Sequence, residues 1–296
     1  MSGNAMVSWQ RVSKEYAGKP ALLDFSLDLG PGVHCLLGPN GAGKTTALNI
    51  LTGIRSASSG EVQLLGQRVS RGGKQARSLG CVPQSLSFPP TLKVVEVLRF
   101  IAVHYPDPLD FAELETKLDL AGILPKQCGS LSGGQLRRLG IAAAIMSNAP
   151  VLILDEPLAG LDIDGRAAVR HLLLEQQEQG RCVIMASHDY AEIEATADTV
   201  TLMQDGRKLA TGSIAEIRDT LDISYLSFES PAAPPTELAT LGTLQELGAG
   251  RYRLITKQPD PASKLIVELI PQPRLQISQS SLEDAVSNLL KKEAGQ

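Results

Sequence analysis

The chain has 296 residues, 43% hydrophobic and 20% charged, which is enough for one large domain and one small domain. Its formal net charge of −4 gives no general reason to expect a nucleic-acid partner, and its four cysteines are too far apart for a zinc or disulfide framework. No stretch approaches the roughly 18 consecutive apolar residues of a membrane span, and residues 1–10 lack the layout of a secretory signal. These features predict a soluble, cytosolic protein with reduced thiols, so a role at a membrane requires a partner.

The first third of the chain combines alternating segments with one apolar strand. Residues 7–29 alternate in short pieces, which favours antiparallel β-structure. The apolar run Val33–Leu37 predicts a buried strand, and a helical stretch over Thr45–Leu51 stops before Gly53. A strand, a glycine-rich loop and a helix are therefore predicted to follow one another.

The loop between that strand and helix, residues 38–46, reads Gly-Pro-Asn-Gly-Ala-Gly-Lys-Thr-Thr, a complete phosphate-binding pattern. Its glycines let the backbone direct N–H groups at phosphate oxygens, and the helix N-terminus adds partial positive charge. Lys44 supplies a full charge to the phosphates, and the Thr45 hydroxyl is suited to ligate Mg²⁺. The predicted nucleotide-binding residues here are Gly38, Asn40, Gly41, Gly43, Lys44, Thr45 and Thr46. The loop predicts that the chain binds a nucleoside triphosphate.

Helical patterns fill residues 85–149, and buried strands return after them. Thr91 is a suitable N-cap for a helix over Leu92–Ala102. Val151–Leu154 and Cys182–Ala186 are apolar runs typical of strands buried on both faces, with a helical stretch between them. Strands that alternate with helices favour a mainly parallel α/β core.

Two carboxylates, Asp155 and Glu156, follow the strand at Val151–Leu154. A buried strand carries charge only at its mouth, where a metal ion or water compensates for the cost of desolvation. Asp155 is suited to hold Mg²⁺, and Glu156 is suited to polarise an attacking water. The alternative, a solvated strand end, is disfavoured by the phosphate-binding loop upstream.

A second glycine-containing segment, Leu131–Gln135, reads Leu-Ser-Gly-Gly-Gln and leads into an Ala-rich helix over Leu136–Met146. Its serine and glycines lie at a helix N-terminus, which is suited to cap an anion. Taken alone, the segment fits an ordinary loop. Its position between the phosphate-binding loop and the Asp-Glu strand makes it specific.

The composition changes after about Leu221, and we predict a domain boundary there, with residues 1–221 as a nucleotide-binding domain and 222–296 as a small α+β domain. Within the first domain, residues 85–149 form a helical subdomain. In the second domain the predicted strands are Ile223–Phe228, Tyr252–Thr256 and Leu265–Ile270, and the predicted helix is Ser281–Lys291. Only one phosphate-binding loop is present, so the chain holds one nucleotide-binding module.

These motifs, in this order, resemble the ATP-binding cassette (ABC) family of ATPases, and the resemblance covers about residues 7–212. It implies an α/β fold with a RecA-like P-loop NTPase core, an antiparallel β-subdomain and a helical signature subdomain. The small C-terminal α+β domain would follow this cassette. The resemblance also implies an ATPase that uses ATP and Mg²⁺, with Leu131–Gln135 as the signature motif.

Further site residues are implied only by the resemblance. Gln84 corresponds to the Q-loop glutamine that contacts Mg²⁺ and the attacking water, and His188 corresponds to the switch histidine that contacts the γ-phosphate. Tyr16 matches the aromatic residue that stacks on adenine, although packing against the β-subdomain is an open alternative. Residues 159–162, Ala-Gly-Leu-Asp, correspond to the D-loop. The signature and D-loop residues implied to contact nucleotide are Ser132, Gly133, Gly134, Gln135 and Asp162.

The resemblance implies a head-to-tail dimer, with a second copy or with a related ATPase. Ser132 and Gly134 are expected to close on the γ-phosphate held by the partner chain, and hydrolysis then removes the shared charge. Leu158 and Ile163 replace a usual Thr or Ser and a usual Pro, respectively. Neither position supplies phosphate chemistry, so we expect catalysis to be retained.

Residues 131–145, with two consecutive arginines, are similar to the ATPase subunits of prokaryotic ABC-2-type exporters. This similarity implies that the chain powers a separate integral-membrane permease and is peripheral on the inner face of the cell membrane. Leu86 and Phe88 are candidates for contacting the permease, and packing of Phe88 inside the helical subdomain is an equal alternative.

A soluble ATPase that remodels a cytosolic complex or nucleic acid is the alternative function. It predicts a long coiled-coil insertion, a second cassette or a basic surface, and the sequence contains neither of the first two. A further possibility is that the residues after about 222 regulate the ATPase.

Overall fold

The computed structural model describes residues 5–221 and 223–294, with the backbone alone for 291–294. The chain separates into two compact units, the first ending at Thr211 and the second beginning at Gly212. This division precedes the predicted boundary at Leu221, because the helix Ile214–Asp219 packs against the C-terminal helix Leu282–Ala294. The change in composition therefore begins one helix after the change in packing.

The first unit contains two sheets and a group of helices. In chain order its elements are β1 (Val7–Tyr16), β2 (Lys19–Leu29), β3 (Gly32–Leu37), α1 (Lys44–Leu51), β4 (Ser59–Leu64), β5 (Gln67–Arg68), β6 (Leu79–Val82), α2 (Val94–Ala102), α3 (Phe111–Lys117), α4 (Gly133–Met146), β7 (Val151–Asp155), α5 (Ile163–Glu178), β8 (Cys182–Ala186), α6 (Tyr190–Thr196), β9 (Thr199–Gln204) and β10 (Arg207–Ser213). Short 3₁₀ helices cover Lys74–Ser78 and Cys128–Ser130.

The antiparallel sheet has the strand order β2-β1-β4-β5, which confirms the prediction for residues 7–29. Trp9 and Phe25 are buried, with ring centroids 5.9 Å apart in an edge-on arrangement. The Trp9 indole Nε1 donates to the carbonyl oxygen of Ala47 in α1 at 3.3 Å. The indole therefore contributes apolar contact area and a satisfied N–H where this sheet meets α1.

The second sheet has the strand order β10-β9-β3-β8-β7-β6, and the four pairs from β9 to β6 are parallel. All residues of β3, β7 and β8 are buried, which explains why these strands read as continuous apolar runs. Because parallel strands end at the same edge, the loops after β3, β8, β7 and β6 meet there. This edge positions the functional site.

Helices α2, α3 and α4 form the predicted helical region. The prediction of Thr91 as an N-cap is wrong, because α2 begins at Val94 with Lys93 as its N-cap. Lys93 is extended, forms a β-bridge with Gln127, and donates its N–H to Glu96 Oε2 at 2.8 Å. No helix within the described ranges is both long enough and apolar enough to cross a bilayer.

The second unit is a small α+β unit, as predicted. In chain order its elements are α7 (Ile214–Asp219), β11 (Ser224–Glu229), α8 (Leu238–Leu241), β12 (Thr243–Gly248), β13 (Arg251–Thr256), α9 (Pro259–Leu269), β14 (Gln276–Gln279) and α10 (Leu282–Ala294). The sheet order β12-β13-β11-β14, antiparallel throughout, gives the βαββαβ arrangement of ferredoxin-like folds. Leu226, Phe228 and Leu254 pack with residues of α8 and α9 in its core.

One predicted strand of this unit is wrong. Leu265–Ile270 lies mostly within helix α9, which has a proline at its first position. Ala262 and Ile266 are four residues apart and are both buried in the core of the unit. A short apolar run does not by itself distinguish a strand from one face of a helix, and here packing against the sheet decides.

Candidate nucleotide-binding site

A cleft of about 340 Å³ opens at the edge of the parallel sheet, beside the ends of β3, β6 and β7. Its lining residues are Tyr16, Ala21, Asn40, Gly41, Ala42, Gly43, Lys44, Thr45, Thr46, Gln84, Asp155 and Glu156. Grooves of about 500 and 540 Å³ elsewhere on this unit are larger, but neither is lined by the phosphate-binding loop. The cleft therefore stands out by its chemistry and not by its size.

The phosphate-binding loop depends on glycine at two positions. Gly43 precedes α1 with φ 103°, and a Cβ there would lie 2.6 Å from the Ala21 carbonyl oxygen. Gly41 has φ 86° and open space where a Cβ would stand. A left-handed backbone at both positions disfavours other residues, so the loop keeps its N–H groups accessible at the N-terminus of α1.

Lys44 lies in the cleft as the single lysine among its lining residues. Its ammonium donates to the carbonyl oxygens of Gly38 at 2.6 Å and Pro39 at 3.0 Å. Burial lowers the pKa of Lys44, and the carboxylates of Glu156 and Asp155 offset part of that effect. A positive charge with reduced hydration at this place is suited to bind phosphate oxygens.

Thr45 and Asp155 meet across the cleft from α1 and β7. The Thr45 hydroxyl donates to Asp155 Oδ2 at 3.3 Å. Burial raises the pKa of Asp155, while Thr45 and the charges of Lys44 and Arg137 act in the opposite direction. A hydroxyl and a carboxylate are oxygen ligands of the kind that Mg²⁺ prefers, so this pair fits the predicted metal position.

The described residues contain no group of three or more His, Cys, Asp or Glu side chains that could hold a metal ion. Mg²⁺ at nucleotide sites is usually bound by one or two protein oxygens together with substrate phosphates and water. The Thr45 and Asp155 pair therefore fits an ion that arrives with the nucleotide.

Glu156 and His188 follow the neighbouring strands β7 and β8. Glu156 has a left-handed backbone with φ 54°, and its N–H donates to the Ala186 carbonyl oxygen at 2.9 Å. His188 Nδ1 lies 2.8 Å from Glu156 Oε1, so the ring nitrogen donates when the carboxylate is ionised. The turn after β7 thus brings Glu156 into the cleft, and His188 orients its carboxylate.

The residue after His188 anchors this loop. Asp189 is the N-cap of α6 and accepts from Arg166 of α5 at 3.0 Å. Burial opposes ionisation of Asp189, but hydrogen bonds from the Glu192 N–H and from Arg166 outweigh it, so its pKa is lowered. An ionised, doubly held Asp189 limits the positions that His188 can take.

Gln84 and Tyr16 reach the cleft from its two sides. Gln84 lies two residues beyond the end of β6 and lines the cleft. Tyr16 ends β1, is 40% exposed, and has the Lys14 ammonium 5.1 Å from its ring centroid. Its ring is accessible at the cleft, as a residue that stacks on a base must be.

The signature segment is not among the residues that line this cleft. Ser132 is the N-cap of α4, where its hydroxyl accepts from the Gln135 N–H at 3.3 Å and the Gln135 side chain accepts from the Ser132 N–H at 3.2 Å. A Cβ on Gly134 would lie 3.0 Å from the Gly160 carbonyl oxygen. The signature segment therefore adjoins the D-loop, away from the phosphate-binding loop.

Asp162 belongs to this second region. It is the N-cap of α5, accepts from the Gly165 N–H at 2.9 Å, and pairs with Arg138 of α4 at 3.0 Å. These hydrogen bonds lower its pKa. The structure thus divides the predicted site residues into a cleft group and a signature group formed by Ser132, Gly133, Gly134, Gln135 and Asp162.

Two features were missed by reasoning from the sequence. Arg137 and Arg138 connect α4 to other loops of the site, and their position just after the signature was the available signal. Phe100 and Val103, at the end of α2, are 64% and 78% exposed. Leu86, one of the two candidates for contacting the permease, lies against Gly140 of α4.

The ABC transporter family model matches residues 22–159. The Nod factor export ATP-binding protein I of Burkholderia thailandensis is 33% identical over 276 residues, which cover 88% of each chain. Among solved structures, an ATP-binding subunit of an ABC transporter is 25% identical, with a TM-score of 0.68 over 73% of this chain and 93% of that chain. A dimeric ATP-binding cassette in a post-hydrolysis state, bound to ADP and Pi, is 23% identical, with a TM-score of 0.62 over 70% of this chain and 98% of that chain.

The residues of the cleft and the similarity to known proteins point to the same family. The cleft contains the phosphate-binding loop, the Asp-Glu pair and the Q-loop glutamine, and the matched region contains all three of these elements. The identity to the curated relative extends over most of both chains. The chain belongs to the ABC transporter family, in which it is an ATP-binding and ATP-hydrolysing cassette.

Proposed function

We propose that this ATPase is the motor of an export complex, which it drives by ATP-dependent head-to-tail dimerisation below a separate integral-membrane permease. The observation that carries the proposal is the division of the site within one chain. The cleft provides the phosphate-binding loop and the acids, while the signature group lies outside that cleft. A nucleotide in the cleft is therefore completed by the signature group of a second cassette, in a homodimer or a heterodimer.

The cleft residues have separate roles in this proposal. The loop N–H groups and Lys44 bind the phosphates, and Tyr16 stacks on adenine. Thr45, Asp155 and Gln84 would hold Mg²⁺, which supplies neutralisation of charge on the phosphates when bound.

Glu156 accepts a proton from the water that attacks the γ-phosphate, and ADP and phosphate are released. His188 donates to Glu156 Oε1 and so directs the carboxylate, and we assign it the further role of contacting the γ-phosphate. The two strands β7 and β8 hold this pair in place, since they end side by side.

An exposed isoleucine supports the dimer. Ile163 opens α5 next to Asp162 and is 86% exposed. A large apolar side chain beside a signature motif is suited to an interface and not to permanent contact with water. The cassette bound to ADP and Pi, which shares the fold, is dimeric, and this supports the proposal of a dimer.

The permease contact is proposed on the α2 patch, which we define as Phe100, Val103 and His104. Phe100 and Val103 are three residues apart and so lie on one side of the helix end. The ring centroids of Phe100 and His104 are 4.7 Å apart. An exposed aromatic-aliphatic pair of this kind can anchor an apolar helix face of a partner.

The relatives support export and the role of the second unit. The curated relative is named for Nod factor export, and its match covers 88% of the chain, so it extends beyond the first unit. We propose that the first unit is the nucleotide-binding domain and that the second is an accessory domain of exporter ATPases. The protein would then be cytoplasmic and bound to the inner face of the membrane through its permease.

Purification of tagged Glu156→Gln from its native cells in MgATP tests the proposal, because slow hydrolysis keeps the complex assembled. We expect a polytopic membrane protein in nearly equal amount. Adding Phe100→Asp should remove it, whereas adding Val267→Asp, a change at a comparably exposed valine in the second unit, should not. Recovery of soluble proteins or nucleic acid alone would contradict the transporter motor and favour a soluble remodelling ATPase.

A further inference from the structure

Arg137, in the second turn of α4, binds three backbone carbonyls at the mouth of the cleft. Its Nη1 donates to Pro83 and to Asp155, each at 3.3 Å, and its Nη2 donates to Gln84 at 3.0 Å. The planar guanidinium can serve several acceptors at once, which a lysine ammonium on a flexible stem does less well. One side chain thus joins the signature helix, the Q-loop and the end of β7.

The contacts of Arg137 with Pro83 and Gln84 lie just beyond the end of strand β6, where pairing with β7 has stopped. Pairing between β6 and β7 ends at Val82 and Leu154, and Pro83 and Gln84 lie beyond the last paired residue of β6. Backbone beyond a ladder keeps its position only through other contacts. Arg137 provides such a contact to the backbone of Gln84, whose side chain lines the cleft.

A second contact supports the first. Leu86 lies against Gly140, where a Cβ would be 2.6 Å from Leu86 Cδ1. Gly140 is three residues after Arg137, so both contacts come from one side of α4. The segment after β6 is therefore held by a polar and an apolar contact to the same helix.

The environment of Arg137 differs from that of a fully hydrated surface charge, because its guanidinium is partly buried among hydrogen-bond acceptors. Its side chain is half-buried, and burial lowers its pKa, against the effect of the nearby Asp155 and Glu156 carboxylates. A guanidinium with reduced hydration is stabilised by its carbonyl acceptors, and it binds them more strongly than a neutral donor would.

We propose that Arg137 is a positioning residue for ATP hydrolysis, which holds Gln84 at the mouth of the cleft in a fixed relation to Asp155. This inference rests on the proposed role of Gln84 in hydrolysis. Arg137 contacts backbone carbonyls and is not among the residues that line the cleft, so it affects the rate of the chemical step more than the binding of ATP.

A double-mutant cycle tests the inference. Phosphate release is measured against ATP concentration for the wild type, Arg137→Met, Gln84→Ala and the double variant. We expect Arg137→Met to lower kcat about tenfold with KM changed less than about twofold, because the phosphate-binding loop is untouched. In the Gln84→Ala background the same change should lower kcat less than about twofold, because no side chain is left to position.

Controls separate positioning from folding. Arg137→Lys keeps the positive charge but loses the planar, forked guanidinium, so its kcat should lie between those of the wild type and Arg137→Met. If Arg137→Met does not fold, Arg137→Lys takes its place in the double-mutant cycle. Arg207→Met removes an exposed arginine of the same unit and should leave kcat unchanged. Thermal melting and ATP affinity are measured for each variant.

Two results would overturn the inference. One is an unchanged kcat for Arg137→Met or Arg137→Lys in folded protein, and the other is an equal loss of kcat in both backgrounds. An unchanged kcat for Gln84→Ala would instead contradict the proposed role of Gln84, and the inference would fail with it.

Discussion

The cleft and the signature group belong to one unit of one chain, yet their polar groups are used differently. In the cleft, burial lowers the pKa of Lys44 and raises that of Asp155, so both charges are held partly out of water. In the signature group, Ser132 is exposed and its hydroxyl already accepts a hydrogen bond from its own helix. The cleft is thus prepared to bind a nucleotide by itself, whereas the signature group lies outside it and is proposed to meet a nucleotide that another chain presents.

The largest effect should follow from changing the acid of the cleft. Glu156→Gln is expected to lower hydrolysis by about 10²- to 10⁴-fold, because the general base is lost, while ATP binding is retained. Phosphate release and ATP affinity measure the two quantities. Glu178→Gln, at the exposed end of α5, is the matched control and should behave as the wild type. Loss of ATP binding in Glu156→Gln would show that this carboxylate serves affinity and not chemistry.

The next effect should come from the signature group and should leave the cleft intact. Ser132→Glu places a negative charge where the partner's γ-phosphate is proposed to lie, and the repulsion should lower hydrolysis about hundredfold. A helix N-terminus accepts a carboxylate, so the fold should be preserved. Light scattering in ATP should show a dimer for Glu156→Gln and a monomer when Ser132→Glu is added.

Ser130→Glu is the control for this comparison, since Ser130 is exposed and lies two residues before the signature serine. It should leave the dimer and the hydrolysis rate unchanged. Weaker ATP binding by monomeric Ser132→Glu would contradict the separation of the cleft from the signature group, because both would then contact one nucleotide within a single chain.

A smaller effect is expected at the edge of the cleft. Tyr16→Ala should weaken ATP binding about tenfold, within the range found when a side chain that stacks on a base is removed. Tyr16→Trp keeps an aromatic face and should bind ATP as the wild type does. Calorimetric titration of ATP measures both. Equal affinity for all three proteins would favour the alternative in which Tyr16 only packs against the β-subdomain.

The smallest effect concerns stability. Since the folded-state pKa of Asp155 lies above that of an unfolded chain, its ionised form lowers stability at neutral pH, and this penalty disappears as the pH falls through the folded-state pKa. Asp155→Asn should therefore raise Tm at neutral pH by roughly 2 °C.

The gain in Tm for Asp155→Asn should shrink as the pH is lowered. Asp28→Asn, at an exposed position on β2, should give no gain at any pH. A lower Tm for Asp155→Asn at neutral pH would mean that attraction to Lys44 and Arg137 outweighs the cost of burying the carboxylate.

Much of the first unit could be predicted from the sequence because its signals are local. The buried strands β3, β7 and β8 are continuous apolar runs, and the loop at residues 38–46 has glycines at positions where the backbone is left-handed. The convergence of Gln84, Asp155, Glu156 and His188 also follows, since residues at the ends of neighbouring parallel strands meet at one edge.

The remaining features depend on contacts between distant segments. Helix α9 was mistaken for a strand because its apolar run is short, and only packing against the sheet distinguishes the two. The contact between Leu86 and Gly140 was not predicted, because nothing near Leu86 in the sequence reveals Gly140. The division after Thr211 differs from the predicted boundary at Leu221 because α7 packs against α10, more than sixty residues away along the chain.

The sequence by itself determined that this protein binds and hydrolyses ATP, because the phosphate-binding loop, the Asp-Glu strand end and the signature are each contained in a few consecutive residues. The tertiary structure alone decided how these pieces are connected. Arg137 reaches Gln84 and Asp155 only because α4 packs beside the ends of β6 and β7. A side chain that bridges three separate segments leaves no pattern in any one of them, since its partners are backbone carbonyls that every residue possesses.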